Sequence, residues 1–227
     1  ITPCGTTRCA SSRRRRASYA LSMRLILVRH GRTPSNTGLL LDTAAPGADL
    51  DDHGHQQAQA LAGRMAELPI QAIYASNLVR TQQTAAPLAD RAGLPITVLD
   101  GLREISAGDY EMASFAMAAE LNAYQSTLMK WAEGDLLAKV PGGENAVEFF
   151  DRFDAAIATI AAVDAHQVVA VSHGAALRVW SAARIRGFTE EIGHAHLDNT
   201  GVIIAEGSLE QGWTLVELQG LLHFDRE

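Results

Sequence analysis

The chain has 227 residues, of which 47% are hydrophobic and 20% charged, and its formal net charge is −7. A chain of this length buries one substantial core, and no apolar run approaches the ~20 residues of a membrane-spanning helix. The two cysteines, Cys4 and Cys9, lie near the start, so the remaining residues offer no thiol for a zinc site or a cysteine nucleophile. We expect a cytoplasmic globular protein with no membrane partner.

The first 22 residues differ from the rest of the chain. They hold Arg8 and a run of arginines at 13–16, carry no acid and show no periodicity. We interpret residues 1–22 as a disordered basic arm and residues 23–227 as one folded domain. Because the arm holds so much positive charge, the domain is more acidic than the whole chain. An acidic domain argues against nucleic-acid binding, which depends on clustered cations.

From residue 24 onward, short apolar runs alternate with longer alanine-rich segments of helical spacing. Asp51 or Asp52 and Asn77 are placed to cap two of the helices. The alternation predicts an α/β fold, a three-layer sandwich in which helices flank a mainly parallel central sheet. We predict buried parallel strands at 25–28, 72–75, 96–99 and 168–171, closing strands at 202–205 and 213–218, and helices at 52–67, 77–91, 145–163 and 175–186.

Residues 105–143 interrupt this alternation. The segment contains one predicted helix, 115–133, framed by Gly108 and by glycines 142 and 143. We interpret 105–143 as a lid-like helical insertion over the edge of the sheet where open α/β folds bind ligands. Its apolar side chains predict either an apolar wall at the mouth of a site or the buried face of a helix; they are Phe115, Met117, Leu121, Tyr124 and Met129.

A histidine follows the first predicted strand directly. His30 stands between Arg29 and Gly31, at the point where the strand ends. A neutral imidazole is nucleophilic near pH 7, and an arginine beside it can donate two hydrogen bonds to a phosphoryl group. The glycine leaves room for an anion against the backbone. A structural histidine after a strand is an equally good interpretation of this tripeptide alone.

Three further polar groups follow the other predicted strands. Arg80 lies in the first turn of the helix after the second strand, Glu104 comes shortly after the third, and His173 follows the fourth, with Gly174 behind it. The carboxyl ends of parallel strands meet at one edge of a sheet. We therefore expect His30, Arg80, Glu104 and His173 to converge on one crevice.

These motifs resemble the histidine phosphatase superfamily, the phosphoglycerate-mutase-like group. The similarity extends over most of the chain from residue 23 and includes, in order, Leu-Val-Arg-His-Gly at 27–31, Leu50 with Gly54 and Gln57, the segment 76–84, Leu-Arg-Glu at 102–104, Pro-Gly-Gly-Glu at 141–144 and Val-Ser-His-Gly at 171–174. It implies the same α/β fold. It also implies a phosphorylated substrate.

The resemblance implies a role for each site residue. His30 would be the phosphorylated nucleophile, and Glu104 would protonate the leaving group and then deprotonate water. The substrate-binding residues would include Gly174, and no metal or other cofactor would be needed. The implied phosphate pocket consists of Arg29, Arg80 and His173, with neutral donors from Asn36 and Thr33.

Other polar residues near these motifs have less specific interpretations. Arg32 either contacts a second acidic group on the substrate or forms a surface salt bridge. Asp109 and Glu111 are expected to be solvated loop carboxylates, and family members commonly have glycine where Met112 stands. His194 and His196 lack a third ligand in register, so surface histidines are the better interpretation.

The sequence favours hydrolysis over the alternatives. Cofactor-dependent mutases of the family carry a longer insertion with paired arginines that grip a substrate carboxylate, whereas 105–143 holds only Lys130 and Lys139 as basic residues. We predict a metal-independent phosphatase that hydrolyses a small phosphomonoester through phosphohistidine. The alternatives are a mutase-type phosphotransferase and a non-catalytic phospholigand-binding protein. Whether the protein is a homodimer stays open.

Overall fold

The computed structural model describes residues 22–114, 118–189 and 196–222. Most of the basic arm, together with Phe115, Met117 and His194, lies outside these residues. Within the described ranges a seven-stranded sheet has the order β3-β2-β4-β1-β6-β7-β5. Its strands are β1 (Met23–Arg29), β2 (Ala72–Ala75), β3 (Ile96–Val98), β4 (Gln167–Ser172), β5 (Ile185–Arg186), β6 (His196–Ser208) and β7 (Gly212–Leu222).

The centre of the sheet is parallel. Strand β1 pairs in parallel with β4, which pairs in parallel with β2, and on its other side β1 pairs with β6 in the antiparallel direction. Strands β6 and β7 form an antiparallel hairpin, so both predicted closing strands are confirmed. The sheet is therefore mixed, and its parallel part carries the predicted site motifs at its carboxyl edge.

Helices cover both faces of the sheet, which confirms the predicted α/β sandwich. Alternate side chains of β1 enter two separate cores: Leu25 and Leu27 pack with Phe149 on one face, and Ile26 packs with Leu61 on the other. Successive strand residues point to opposite faces, and burial on both sides explains the continuous apolar run. The helices are α1 (Pro34–Thr37), α2 (Asp52–Arg64), α3 (Val79–Ala92), α4 (Ala118–Ala132), α5 (Ala146–Ala161) and α6 (Gly174–Arg184).

Strand β3 differs from the prediction of a buried strand. It pairs only with β2 in the described sheet, at the edge, and the side chain of Val98 is exposed. An edge strand has neighbours on one side only, so a short apolar run there can still face solvent.

The helix boundaries follow their capping residues. The Asp51 carboxylate accepts a hydrogen bond from the Gly54 N–H and caps α2 as predicted. Asn77 does not cap α3: its amide donates to Asp100 Oδ1 (2.6 Å), and Leu78 holds the N-cap position. Helix α6 ends before the predicted residue 186 because the two residues of β5 pair with β7.

Two 3₁₀ turns, Asp100–Leu102 and Gly108–Tyr110, flank the segment that contains Glu104. Helix α4 follows them and lies within the predicted lid segment. Among the helices of the described ranges, none is long and apolar enough to cross a membrane.

Candidate active site

A cavity of about 380 Å³ opens at the carboxyl edge of the parallel strands. The loop after β1, the start of α3 and the start of α6 contribute to its wall, and so does α4. Of the four residues expected to converge, His30, Arg80 and Glu104 line this cavity and His173 does not. Eight of the nine predicted site residues line it. Those that line the cavity are Arg29, His30, Arg32, Thr33, Asn36, Arg80, Glu104 and Gly174.

His30 is held in one tautomer. Its Nδ1 lies 2.7 Å from the backbone oxygen of Gly31, and because a carbonyl only accepts, Nδ1 carries the proton. Nε2 of the neutral ring then keeps its lone pair. Burial lowers the pKa of His30 well below its usual value, and the charges of Arg80 and Arg29 lower it further. The ring is therefore neutral at pH 7, with an unprotonated Nε2.

Gly31 does not serve the expected purpose. A Cβ at this position would lie 2.8 Å from the backbone oxygen of Gly54, at the start of α2, and the N–H of Gly31 donates to Thr84 Oγ1 (2.9 Å). The space beside the glycine is thus occupied by the chain. Gly31 allows close packing of α2 on the loop after β1, and the expectation of an anion against this backbone is wrong.

Two buried arginines flank His30. Nη1 of Arg29 donates to the backbone oxygen of Leu197 (2.5 Å), and burial lowers the pKa of Arg29 to about 10. Nη2 of Arg80 donates to the backbone oxygen of Asp42 (2.7 Å), and Nη1 lies 3.4 Å from Asp42 Oδ1. The buried Nε and Nη1 of Arg80 have no hydrogen-bond partner within the described ranges. Both guanidinium groups keep a positive charge at neutral pH.

A glycine makes room for Arg80. Gly47 has φ of +70°, and a Cβ there would overlap Arg80 Nη1. The turn after the Asp42 segment can therefore close over the guanidinium only because this residue lacks a side chain.

His173 lies behind Arg80 and does not line the cavity. Its Nδ1 accepts a hydrogen bond from Arg80 Nη2 (3.1 Å), so Nε2 carries the proton and donates to Ser76 Oγ (2.8 Å). Its ring centroid is 5.2 Å from that of His30. Burial, followed by the charge of Arg80, lowers the pKa of His173 well below its usual value. In this structure His173 supports Arg80, and its direct contact with a substrate stays a prediction.

Glu104 is held at the N-terminus of α6. Its Oε1 accepts from the N–H groups of Ile105 (3.0 Å) and Ala176 (2.7 Å), and Oε2 accepts from Ala175 (3.2 Å). These three N–H groups fix the position of the carboxyl group against the start of α6. Arg178 lies one turn further along α6 and lines the same cavity. Burial lowers the pKa of Arg178, and the charge of Glu104 partly opposes this lowering.

Thr33 and Asn36, the two neutral side chains expected to donate to phosphate, are hydrogen-bonded to each other in the loop after β1. The Thr33 hydroxyl caps α1 by accepting from the Asn36 N–H (3.2 Å). Asn36 Oδ1 accepts from the Thr33 N–H (3.1 Å) and from Asn199 Nδ2 (3.1 Å), which orients the amide. Arg32 donates through Nε to Asp51 Oδ2 (2.7 Å), so the salt-bridge alternative is the one observed, although Arg32 also lines the cavity.

Glu111 is a structural carboxylate. Its oxygens accept from the Thr43 N–H (2.7 Å), the Thr43 hydroxyl (2.5 Å) and the Ala44 N–H (3.0 Å), so the expectation of a solvated side chain is wrong. It fixes a loop that lines the cavity at Thr43. Asp109 is exposed as expected. Met112 has φ of +61°, the conformation that glycine adopts most easily.

Arg178 and Asn199 line the same cavity and were not among the predicted site residues. The sequence spacing could have indicated Arg178, since it follows His173 by little more than one helical turn on a predicted helix. No such spacing indicates Asn199, because its position depends on the pairing of β6 with β1. The structure shows no group of three metal-ligating side chains, as far as its described residues extend.

The structure described so far is an α/β fold with a cavity in which two buried arginines flank a buried histidine. A sequence model of the histidine phosphatase superfamily (branch 1) matches residues 25–219. The chain belongs to this superfamily.

Three similar proteins illustrate the range of relatives. The chain is 37% identical over 213 residues to the PE-PGRS family protein PE_PGRS11 of Mycobacterium tuberculosis, covering 86% of this chain but only 36% of that protein. It is 34% identical to a probable phosphoglycerate mutase GpmB of Enterobacter sp. (strain 638), with 68% and 71% covered. A solved mycobacterial glucosyl-3-phosphoglycerate phosphatase has 26% identity and a TM-score of 0.70, with 88% and 99% covered.

Proposed function

We propose that this protein is a metal-independent phosphatase that hydrolyses small phosphomonoesters through a phosphohistidine on His30. The observation that carries the proposal is the hydrogen bond from Nδ1 of His30 to Gly31, because it leaves an unprotonated Nε2 in a cavity with two buried arginines. The similarity to a solved glucosyl-3-phosphoglycerate phosphatase supports the reaction type.

In the first step, the Nε2 lone pair of His30 attacks phosphorus and the ester P–O bond breaks. Arg29 and Arg80 stabilise the charge on the phosphoryl oxygens, and the Asn36 amide adds a neutral donor. Positioning and charge stabilisation are the main contributions to phosphoryl transfer, so guanidinium groups can replace a metal here. His173 holds Arg80 in place and, by our proposal, adds a contact once substrate is bound.

Glu104 supplies the proton. Protonated, it gives its proton to the leaving oxygen; in the second step it takes a proton from the water that attacks phosphohistidine, and the P–N bond electrons return to Nε2. Its position at the start of α6, held by three backbone N–H groups, keeps the carboxyl group on the cavity wall.

The test is an assay in EDTA of phosphate release from phosphomonoesters and of 3-phosphoglycerate isomerisation. We expect hydrolysis without added metal. Mutase turnover with negligible hydrolysis would reverse the assignment, and binding without either reaction would favour a phospholigand-binding protein. A second experiment measures acid-labile labelling of the protein by a phosphorylated substrate. His30→Ala should abolish this labelling, whereas exchange of the exposed His55 for alanine should leave it unchanged.

Glu104→Gln tests the acid–base role separately. We expect kcat to fall by about 10²-fold or more, while inhibition by inorganic phosphate changes much less, because glutamine keeps the shape but cannot transfer the proton. Equal losses in turnover and phosphate inhibition would instead place Glu104 in phosphate binding.

A further inference from the structure

The cavity changes in chemistry from its inner to its outer end. His30, Arg29 and Arg80 at the inner end are buried. The outer end, which we call the mouth, is lined by Leu39, Leu40, Gln125 and Leu128, and these side chains are partly or largely exposed. A bound ester would place its phosphate at the cationic end and its organic part between these leucines.

Leu39 forms one side of the mouth in an unusual way. Its side chain is 55% exposed, and its φ of +51° is a conformation that leucine rarely adopts. The turn is fixed by bonds from the Leu39 N–H to the Asn36 oxygen (3.3 Å) and from the Leu40 N–H to the Ser35 oxygen (2.8 Å). The turn therefore presents an apolar side chain to solvent directly beside the phosphate-binding loop.

Helix α4 forms the other side. The Tyr124 hydroxyl donates to the backbone oxygen of Ile105 (3.0 Å), which attaches the helix next to Glu104. Leu128 lies one turn further on the same face, packs against the core and lines the cavity. Gln125 lines it as well. The apolar residues of the lid were expected to form either an apolar wall of the site or the buried face of a helix. Tyr124 agrees with both interpretations, since it is buried and also lines the cavity.

The two arginines near the mouth already have partners within the protein. Arg32 is bound to Asp51, and Arg178 lies within the field of Glu104 and donates through Nε to the Gly174 oxygen (3.2 Å). A carboxylate on the substrate would have to compete with Asp51 for Arg32. An apolar group would instead gain by leaving water for the leucine surface.

We propose that the mouth selects phosphomonoesters whose organic part is uncharged and apolar, about one aromatic ring in size. The cavity volume of about 380 Å³ accommodates a phosphate and such a group. The hydrolysis of these esters rests on the function proposed above, whereas the binding preference does not. Leu39 and Leu128 are the specificity-determining residues.

The experiment compares four primary alkyl phosphates, so that the leaving groups are similar: 2-phenylethyl phosphate, methyl phosphate, O-phosphoserine and glucose 6-phosphate. We expect kcat/KM for 2-phenylethyl phosphate to exceed each of the others by at least about tenfold. Leu128→Gln and Leu39→Asn should each lower, by about tenfold, the ratio of kcat/KM for 2-phenylethyl phosphate to kcat/KM for methyl phosphate. Asparagine tolerates positive φ, and glutamine favours helix, so both variants keep the backbone.

Leu137→Gln is the matched control, because Leu137 is exposed and outside the cavity lining. It should preserve the wild-type preference. A wild-type preference for phosphoserine or glucose 6-phosphate would overturn the mouth proposal while the phosphatase function stands. So would an unchanged preference in both mouth variants.

Calorimetry with two non-hydrolysable phosphonates separates binding from hydrolysis. We expect 2-phenylethylphosphonate to bind at least about tenfold more tightly than 3-phosphonopropionate, and the mouth variants to lose this difference. If no ester is hydrolysed but the binding preference is found, the proposed function fails and the mouth proposal holds. Equal binding of the two phosphonates overturns the mouth proposal whatever the activity.

Discussion

At the scale of single residues, the site depends on groups whose partners determine their orientation. A carbonyl acceptor fixes the tautomer of His30, and His173 and Asp42 hold Arg80 from two sides. Side chains fixed in this way lose little freedom when a phosphate binds, which is how a binding site is preorganised. The same packing leaves little room for change around Arg80.

Gly47→Ala tests this packing. The new Cβ would overlap Arg80 Nη1, and alanine is strained at φ of +70° by about 1 kcal/mol. We expect inhibition by inorganic phosphate to weaken about tenfold or more as the guanidinium moves away, since a charged hydrogen bond contributes about 1.5–3 kcal/mol. Steady-state inhibition kinetics measure the effect.

The control for this substitution is Gly63→Ala, in helix α2, where a Cβ meets nothing within 4 Å. Alanine favours helix over glycine by up to about 1 kcal/mol, so this variant should be slightly more stable and equally active. An unchanged inhibition constant in Gly47→Ala would show that Arg80 does not need its observed position.

At the scale of elements, α5 holds the segment that carries Glu104. Arg152 donates to the backbone oxygens of Gly101 (2.8 Å), Arg103 (2.9 Å) and Glu104 (3.0 Å), and it forms two bonds with the Glu144 carboxylate. Glu144 also accepts from the Ser106 N–H (3.0 Å). Both side chains of this ion pair are almost completely buried. The segment from residue 101 to 106 is thus fixed by Arg152 of α5 and by Glu144, which lies just before this helix.

We expect Arg152→Gln to lower the free energy of unfolding by about 3 kcal/mol, because it leaves a buried carboxylate and three carbonyls without their donor. It should also lower kcat more than phosphate binding, since Glu104 moves while the arginines stay. Arg184→Gln breaks a half-exposed pair with Asp154 and should cost less than about 1 kcal/mol. Urea unfolding and kinetics measure both; equal destabilisation of the two variants would contradict this assignment.

The arrangement of strands and helices also explains which site residues could be predicted from the sequence. The strand-end residues His30, Arg80 and Glu104 were predictable, because parallel strands bring their carboxyl ends together. Asn199 and the bonds of Glu111 were not, since each joins distant segments without a local pattern. The edge position of β3 and the missing cap at Asn77 show the same limit: both depend on which neighbour is near in space.

At the scale of the whole molecule, two apolar cores lie on the two faces of one sheet, and the polar site lies at the carboxyl edge of its parallel strands. His30 and His173 are buried there and remain neutral, because their pKa values are lowered. In the unfolded chain the same rings bind protons below their ordinary pKa of about 6.5. The unfolded state then binds more protons than the folded state, so stability falls as pH decreases below this value.

The loss is up to about 1.4 kcal/mol per pH unit for each histidine. We expect urea unfolding between pH 6.5 and 5.5 to show a smaller loss for His30→Gln than for the wild type. Exchange of the exposed His53 for glutamine should retain the wild-type pH dependence. The same slope in all three proteins would show that His30 is protonated in the folded state.

The pairing of β6 beside β1 has one more consequence, for how activity is gained during refolding. Asn199 reaches the backbone oxygen of His30 (3.0 Å) across 169 residues of sequence separation. Contacts so distant along the chain form late, after the loops between them have closed. Catalytic turnover should therefore return only with the last kinetic phase of refolding, later than the circular dichroism signal of the helices. The time at which activity returns would then report when the sheet is complete.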